Sequence, residues 1–342
     1  MQRVLFMLNC VNTGLRKRYK FSVSIFFSLL LLNVIYLVDA VAKTYPSKPI
    51  RFVVTSLPGS GQDIIGRLLG RQLTEALGQQ VIVDNRPGAS GRIAAETVAR
   101  AAPDGYTLLM MTSQLCTVEV MFKDLKYSLT GDFSTVALLG ISTSALVINP
   151  LVPANSVKDL IALAKSRPGQ LKYGSGGPGS PPHLLAEVFR AMTGTLLLHV
   201  PYNASPAALV ATVNGEVEMS FQNIPSSLPL IRSGKLKVLG VTSMRRTPMM
   251  PDLSPISDIV PGYDFDLFQG LLAPVKTPRA VITKLKFEID KAMLVPALRE
   301  QLISSGYENV ESSPDNFATY MTTYVGKMRE AVKLSGSQPE SY

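Results

Sequence analysis

The sequence predicts an α/β protein of two lobes with a cleft between them. Its 342 residues are more than one hydrophobic core usually serves, which favours two domains. Apolar strand-like runs alternate with helical stripes along most of the chain, a pattern typical of doubly wound sheets. The last part of the chain predicts helices with too little strand for a third lobe. We therefore expect the chain to return to the first lobe, so that two crossings join the lobes.

The first 42 residues have the pattern of an export signal. Basic residues at 16–20 precede an apolar stretch of eighteen residues at 21–38, and Ala40, Val41 and Ala42 supply a small-residue cleavage site. We therefore expect a signal peptide over residues 1–42 to be cleaved, with Lys43 starting the mature chain. An uncleaved membrane anchor is the alternative, because a stretch of this length lies at the lower edge of a spanning length.

The remaining composition argues against several functions. Without the five basic residues and one acidic residue of the first 42, the formal net charge falls from +9 to +5 (29 − 24), and no run of five Lys or Arg occurs. No nucleic-acid partner is therefore expected. Cys116 is the one cysteine left, so the mature chain has no intramolecular disulfide. His183 and His199 are the only histidines and no zinc-binding motif occurs, so no metal is expected. The G-x-S-x-G elbow that would indicate a hydrolase does not occur either.

The first lobe is predicted from strands and helices that alternate after residue 48. A helix at 63–77 carries apolar residues at three- and four-residue spacing and is closed by Gly78. A helix at 93–102 is stopped by the turn at 103–105. The strands are predicted at 49–55, 81–83 and 106–112. We expect these strands to form a parallel sheet.

The second lobe repeats the alternation after an apolar segment at 136–148. Ser156 with Asp159 resembles a capping box, and Pro181 with Pro182 suits the first turn of a helix. Strands are predicted at 172–175, 196–200, 217–221 and 236–242, and helices at 156–165, 181–192 and 206–214. A strand at 264–273 leads out, and helices at 278–293, 296–305 and 314–334 follow. The predicted domains are 43–145 with 271–342, and 146–270.

Loops of small residues precede three of these helices, at 59–61, 176–180 and 204–205. Such loops lie at the carboxyl ends of strands, where α/β proteins bind ligands. Free N–H groups and the helix dipole favour an anion there by about 0.3–1 kcal/mol per charge. A glycine turn without function is the alternative for any single loop. A dinucleotide site is disfavoured because Ile64 stands where G-x-G-x-x-G requires glycine.

Short motifs follow one another in a fixed order from Tyr45 to about Ser335. They are YPSKPIR at 45–51, the loop at 58–63, NRPGA at 85–89, APDGYTL at 102–108, YGSG at 173–176 with HL at 183–184, HVPY at 199–202, FQN at 221–223, GKL at 234–236 and GLLAP at 270–274. In this order the motifs resemble the extracytoplasmic solute receptors of tripartite tricarboxylate transporters, also called the Bug family.

The resemblance implies a two-lobed periplasmic-binding-protein fold, type II-like, in a protein with neither enzymatic activity nor a cofactor. Such a protein closes on a small carboxylic acid in the periplasm and delivers it to membrane permease subunits; a monomer is expected. The implied ligand-binding residues are Leu57, Gly59, Ser60, Gly61, Gln62, Ser113, Gln114, Ser175, Gly176, Ser180, His183, Tyr202, Ser205, Gln222 and Asn223. For His183 a packing role, and for Tyr202 a place at the hinge, are open alternatives.

The chain departs from the usual pattern of that family at several loop positions. Ser60, Gln62 and Asn203-Ala204 stand where glycine, threonine and a basic residue followed by glycine are usual, and Gln222 replaces an aspartate. Because a neutral amide cannot neutralise an ammonium, we expect a preference for non-amino carboxylic acids over aspartate and glutamate; a neutral effect of the change is the alternative. Two other functions stay open: ligand presentation to a membrane kinase, and a secreted hydrolase with a reactive serine.

Overall fold

The computed structural model describes residues 45–308, 310 and 312–335. The predicted signal peptide lies outside these residues. The strands are β1 (Ile50–Val54), β2 (Val81–Asn85), β3 (Thr107–Thr112), β4 (Phe133–Ser142), β5 (Ser144–Ile148), β6 (Lys172–Ser175), β7 (Leu198–Pro201), β8 (Met219–Asn223), β9 (Lys237–Val241) and β10 (Leu267–Pro274). The helices are α1 (Gly61–Leu77), α2 (Arg92–Ala99), α3 (Gln114–Met121), α4 (Val157–Ser166), α5 (Pro181–Thr193), α6 (Ser205–Asn214), α7 (Ile224–Arg232), α8 (Arg279–Met293), α9 (Pro296–Ser304) and α10 (Pro314–Ser335).

The strands form two five-stranded sheets, each of which is the centre of one lobe. The first lobe has the order β2-β1-β3-β10-β4, and the second has the order β7-β6-β8-β5-β9. In the first sheet, side chains alternate between two helix layers. Phe52 and Val54 of β1 share a core with Ile65 of α1, whereas Val53 shares a core with Ala94 of α2. Helices on both faces confirm the prediction of doubly wound lobes.

The three strands predicted for the first lobe, β1, β2 and β3, are parallel as expected, but β5 and β10 make both sheets mixed. β10 runs antiparallel to β3 and β4, and β5 runs antiparallel to β8 and β9. Strands joined by a crossover helix are held parallel, as β1, β2 and β3 are. β5 and β10 instead enter their sheets from the other lobe, so no such helix fixes their direction.

Two helices that the sequence did not predict lie beside the cleft. α3 is buried on most of its surface, so it has no polar stripe that would show helical spacing. α7 carries Pro225 in its first turn and Pro229 inside, and internal proline argues against a helix from sequence alone. None of the helices in the described part of the chain is both long and apolar enough to cross a bilayer.

Two crossings join the lobes, and a hydrogen bond between side chains joins the two crossings. The chain leaves the first sheet after Ser142, enters the second at Ser144, and returns between Val241 and Leu267. Thr143 Oγ1, in the first crossing, donates to Asp266 Oδ1, in the second, at 2.9 Å.

The segment after α9 adds a third connection between the lobes. The backbone of Glu308 pairs with Ile141 of β4, and its carboxylate accepts a hydrogen bond from Thr247 Oγ1 at 2.7 Å. Aromatic rings continue the contact behind the cleft. Tyr263 lies 5.3 Å from Phe265, whose ring is 6.4 Å from Tyr324 of α10.

Candidate ligand-binding site

A cavity of about 470 Å³ lies between the two lobes. Its second-lobe wall is formed by the beginnings of α5, α6 and α7 and by the carboxyl end of β8, and its first-lobe wall by the start of β10 and the end of α9. The lining residues are Ser144, Pro181, Pro182, Ser205, Pro206, Leu209, Phe221, Gln222, Asn223, Pro225, Ser226, Leu267, Ser304 and Ser305. Three of the predicted site residues, Ser205, Gln222 and Asn223, are therefore brought together at one cavity.

The first predicted loop lies at the amino end of α1 and is braced by its own side chains. Ser60 caps the helix, because its Oγ accepts the Asp63 backbone N–H at 3.2 Å. The Asp63 carboxylate in turn accepts the Gly59 N–H and the Arg67 Nε–H, both at 2.9 Å. Burial raises the pKa of Asp63, but the hydrogen bonds from Arg67, Gly59 and Asn85 outweigh it and lower the pKa below its ordinary value.

Two backbone donors of this loop remain available. No acceptor among the described residues meets the N–H of Gly61 or Gln62, which are orphan donors of the first helical turn. An atom added at the Cβ position of Gly61 would lie 3.6 Å from Ser305 Oγ, so this helix end adjoins the cavity wall. The Gln62 side chain is fully engaged, since Oε1 accepts from Thr55 and Nε2 donates to Met110 O. Its backbone N–H is thus the group that it can offer a ligand.

The second predicted loop, at 176–180, is braced by hydroxyls and imidazoles. Ser175 Oγ contacts His199 Nε2 at 2.6 Å and accepts the Gly177 N–H at 3.1 Å. Ser180 Oγ donates to Gly177 O at 2.7 Å. His183 Nδ1 accepts the N–H of Gly179 at 3.3 Å. Ser175, Ser180 and His183 therefore hold the shape of this loop.

Gly176 of the same loop lies against the start of α6. An atom at its Cβ position would lie 2.8 Å from the backbone nitrogen of Ser205 and 2.8 Å from Ser205 Oγ. Any side chain at this position would push the loop away from α6. The small residue therefore permits the close approach that places Ser205 in the cavity wall.

The rings of the two histidines are in contact beside this loop. The ring centroids of His183 and His199 are 4.4 Å apart, and His199 is 4.8 Å from Tyr173. Burial, followed by the neighbouring His199, lowers the pKa of His183 to about 4, although Glu187 opposes the shift. Burial likewise lowers the pKa of His199. Both imidazoles are neutral at pH 7, so His183 can accept the Gly179 N–H.

Two of the predicted residues reach from one lobe to the other. Gln114 Nε2 of the first lobe donates to Gly179 O of the second at 3.4 Å. Asn223 Nδ2 of the second lobe donates to Ser305 O of the first at 3.1 Å. Gly306, at φ +86°, leaves room for this amide, because a Cβ there would lie 2.6 Å from Asn223 Nδ2.

The remaining predicted residues make contacts away from the cavity. Ser113 is buried and exchanges hydrogen bonds with the backbone of Phe268. The Tyr202 hydroxyl donates to Glu216 at 3.4 Å. Leu57 is 65% exposed. Of the fifteen predicted residues, Ser205, Gln222 and Asn223 belong to the lining of the cavity, and the other twelve, these three among them, lie outside it.

Sequence reasoning missed the contribution of the end of α9. Ser304 and Ser305 line the cavity, yet they belong to the C-terminal helices, far along the chain from the loops of the second lobe. The only local signal is the Ser-Ser-Gly sequence at 304–306, which is typical of a helix end and has no specific link to a ligand.

The Ser175–His199 contact has the spacing of a nucleophile and its base. Ser175 has no exposed surface, and its hydroxyl also contacts Gly177 on both the N–H and the carbonyl side. The arrangement therefore fits a contact that braces the loop.

In the described part of the chain, no three His, Cys, Asp or Glu side chains come together in a group that could hold a metal ion.

Comparison with known proteins assigns the family. Residues 65–336 match the family described as "Tripartite tricarboxylate transporter family receptor", TctC. This chain belongs to the TctC family. The family predicted from the motifs is thus confirmed, and the protein is a periplasmic solute-binding receptor.

Two relatives align with most of this chain. BugT of Bordetella pertussis is 32% identical over 300 residues, which are 87% of this chain and 92% of BugT. A protein from the tcbD-tcbE intergenic region of Pseudomonas sp. (strain P51) is 35% identical over 280 residues, which are 80% of this chain and 82% of that protein.

Solved relatives confirm the two-lobed fold and include two with bound acids. An R. palustris protein solved with adipate has a TM-score of 0.72 at 31% identity, covering 86% of this chain and 100% of that one. MatC from Rhodopseudomonas palustris, with bound malate, has a TM-score of 0.70 at 26% identity, covering 84% and 100%. A ligand-free TctC protein from Polaromonas has a TM-score of 0.76 at 27% identity, covering 85% and 99%.

Proposed function

We propose that this TctC receptor captures a small carboxylic acid between its lobes and delivers it to the membrane permease subunits of a tripartite tricarboxylate-type transporter. The observation that carries the proposal is the pair of unpaired N–H groups, on Gly61 and Gln62, at the amino end of α1 beside the interlobe cavity. Backbone donors and the positive end of a helix together suit a carboxylate. The acids bound by two solved relatives support this ligand class.

The crossings support a receptor that closes on its ligand. Two hydrogen bonds among the described residues, Gln114–Gly179 and Asn223–Ser305, join the lobes beside the cavity, in addition to the connection that Glu308 makes. A ligand that touches both lobes adds contacts only to the closed arrangement, so it shifts the population toward closure. We further propose cleavage of the signal peptide after residue 42, a monomeric mature protein, and two lobes that meet at the crossings, close to the predicted bounds of 43–145 with 271–342 and 146–270.

Binding by the purified mature protein tests the proposal. Native mass spectrometry of protein expressed with its signal segment gives both the mass of the mature chain and that of any co-purified acid. Calorimetry with adipate and malate then measures affinity, and small-angle scattering at saturation measures closure. We expect a bound acid and a smaller radius of gyration. A protein that binds neither these acids nor any other in a carboxylate panel would contradict the proposal.

Delivery to a permease is distinguished from ligand presentation to a membrane kinase by crosslinking. The liganded receptor is expected to crosslink to permease subunits in membranes that contain them. Crosslinking to a sensor kinase alone would favour the sensory alternative.

A further inference from the structure

The helices α9 and α7 end in the same kind of turn, a Schellman motif with a glycine just beyond the helix. After α9, the N–H of Tyr307 donates to Leu302 O at 2.8 Å, as the motif requires. The N–H of Gly306 donates to the next carbonyl of the helix, at 2.9 Å. After α7, Gly234 and the residue that follows it make the same pair of bonds. The two glycines have φ of +86° and +72°, so both turns need glycine for the same backbone reason.

The two turns differ in what lies beside the glycine. A Cβ at Gly234 would meet nothing within 4 Å. A Cβ at Gly306 would lie 2.6 Å from Asn223 Nδ2, 3.0 Å from Asn223 Oδ1 and 3.1 Å from Asn223 Cγ. The Asn223 amide belongs to the second lobe, and it lies against a helix end of the first lobe. Glycine is therefore needed after α9 for a contact between the lobes as well as for the backbone angle.

The carbonyl of Ser305 accepts this amide. It lies at the carboxyl end of α9, where the partial negative charge of the helix favours a donor, and Asn223 Nδ2 donates to it at 3.1 Å. Ser305 is itself fixed, since its Oγ accepts Gln301 Nε2–H at 3.2 Å. A Cβ at Gly61 would lie 3.6 Å from the same Oγ. The amide thus joins the second lobe to the part of the first lobe that adjoins the amino end of α1.

The Asn223 side chain makes no hydrogen bond within its own lobe among the described residues. Asn223 is the residue before α7, yet its side chain does not cap that helix. Its one side-chain hydrogen bond goes to Ser305 O of the first lobe. Truncating the side chain therefore removes a contact between the lobes and leaves the hydrogen bonds of the second lobe in place.

We infer that Asn223 is a positioning residue, which strengthens ligand binding by holding the lobes together and not by contacting the ligand. The inference rests on the proposed function, because it concerns closure around the same cavity. A hydrogen bond between the lobes adds the same free energy to the closed arrangement whichever acid is bound. A contact with the ligand would instead depend on the polar groups that each acid carries. Asn223 therefore raises affinity without selecting among acids.

Affinities of the Asn223→Ala protein test this role. Parent and variant are titrated by calorimetry with the two acids that the parent binds most tightly in a panel that includes adipate and malate. We expect both affinities to fall about three- to tenfold, by factors that agree within twofold. Stopped-flow measurements are expected to show faster dissociation and little change in association, because the bond between the lobes forms after the ligand has entered.

The outcomes separate this inference from the proposed function. Unchanged affinities, or factors that differ more than twofold between the acids, would overturn the inference and leave the proposed function standing. A parent protein that binds no acid of the panel would overturn both. If one acid alone binds, the cycle of variants described next decides.

A double-mutant cycle tests the contact with Gly306. Gly306→Ala is expected to weaken binding at least threefold in the parent, and by less than twofold in the Asn223→Ala protein, where the new methyl group meets no amide. Gly234→Ala makes the same change in the matched turn after α7 and is expected to leave affinity within twofold.

Losses that add in the double variant, or an equal loss in Gly234→Ala, would assign the effect to backbone strain and overturn the inference. Circular dichroism and melting temperature confirm that each variant is folded. If Gly306→Ala does not fold, the two affinities and the dissociation rates of Asn223→Ala decide.

Discussion

The two loops that face the cleft are built in opposite ways. The first-lobe loop is held by a charged cluster, Asp63 with Arg67, and leaves two N–H groups of α1 without partners. The second-lobe loop is held by neutral groups, Ser175, His199 and His183, and the helix after it begins with two prolines. The first loop is therefore suited to meet the charge of an anion. The second fixes the shape and polarity of the opposite wall.

The largest expected effect comes from filling the close contact of the second loop. In Gly176→Ala the new Cβ would lie 2.8 Å from the backbone nitrogen of Ser205, so the loop or α6 must shift. We expect a loss of about 1–3 kcal/mol in the free energy of unfolding, measured in urea, and weaker binding. Gly61→Ala is the matched change in the first loop, where the Cβ makes an ordinary 3.6 Å contact with Ser305 Oγ. Equal stability losses for the two variants would contradict the contrast between the loops.

The second prediction concerns the backbone of the first loop. Gly59 has φ +80°, and an added Cβ meets nothing within 4 Å, so Gly59→Val strains the loop without a clash. We expect at least a tenfold loss of affinity, about 1.4 kcal/mol, in a folded protein. Gly78→Val is the control, because Gly78 at the other end of α1 has φ +68° and equally open space. If Gly78→Val weakens binding as much, strain in α1 and not the loop is responsible.

The third prediction is a pH dependence of stability, to which the second loop and the second crossing contribute with opposite sign. Folding lowers the pKa of His183 from 6.5 to about 4 because burial disfavours the cation, so its contribution to stability is present above pH 6.5 and is lost as the pH falls toward 4. Burial raises the pKa of Asp266 from 3.8 to about 7, against the hydrogen bond from Thr143. The contribution of Asp266 to the free energy of unfolding is present below pH 3.8 and is lost as the pH rises through 7. Asp264, Glu308 and Lys327 act on the same carboxyl.

Single substitutions resolve these two opposed slopes. Urea unfolding between pH 4 and 7.5 is expected to show a weaker loss on acidification in His183→Gln than in the parent protein. Asp266→Asn is expected to remove part of the loss on going from pH 4 to 7. Profiles that are unchanged in both variants would show that neither group titrates as its surroundings require.

The smallest expected effect is the reaction of Ser175 with a serine-directed phosphonate. The side chain is fully buried and its hydroxyl is engaged by His199 and Gly177, so we expect no labelling by mass spectrometry after prolonged incubation. A modified Ser175 peptide would instead favour the hydrolase alternative and show that the second loop opens. The Ser175→Ala protein is the control for labelling elsewhere.

Periodicity and loop chemistry predicted most of the fold. Strand and helix patterns along 49–334 matched the observed elements with small shifts of their ends, because amphipathic stripes and proline or glycine boundaries are local signals. The antiparallel entries of β5 and β10 were not predicted, since strand direction depends on how the chain crosses between lobes. α3 and α7 were missed because one is buried nearly all round and the other contains proline.

The site was predicted only in part, for a similar reason. Ser205 lies in one of the loops that precede helices, so the loop rule indicated it, whereas the family resemblance implied Gln222 and Asn223; all three line the cavity. Ser304 and Ser305 reach the same cavity through tertiary packing of α9, which no local pattern records. Gln62 shows the converse: its position in the loop is a sequence signal, but its amide is used inside the first lobe.

Amide chemical shifts test the central claim, that the amino end of α1 holds the ligand carboxylate, most directly. In ¹H–¹⁵N spectra of the mature protein titrated with adipate, or with malate if it binds more tightly, we expect the amide protons of Gly61 and Gln62 to move downfield as they gain an acceptor. They should shift more than the amides of α4, which lies away from the cavity. Saturation with Gly61 and Gln62 unshifted, while amides of the second-lobe loop move, would place the carboxylate on the other wall and contradict the account.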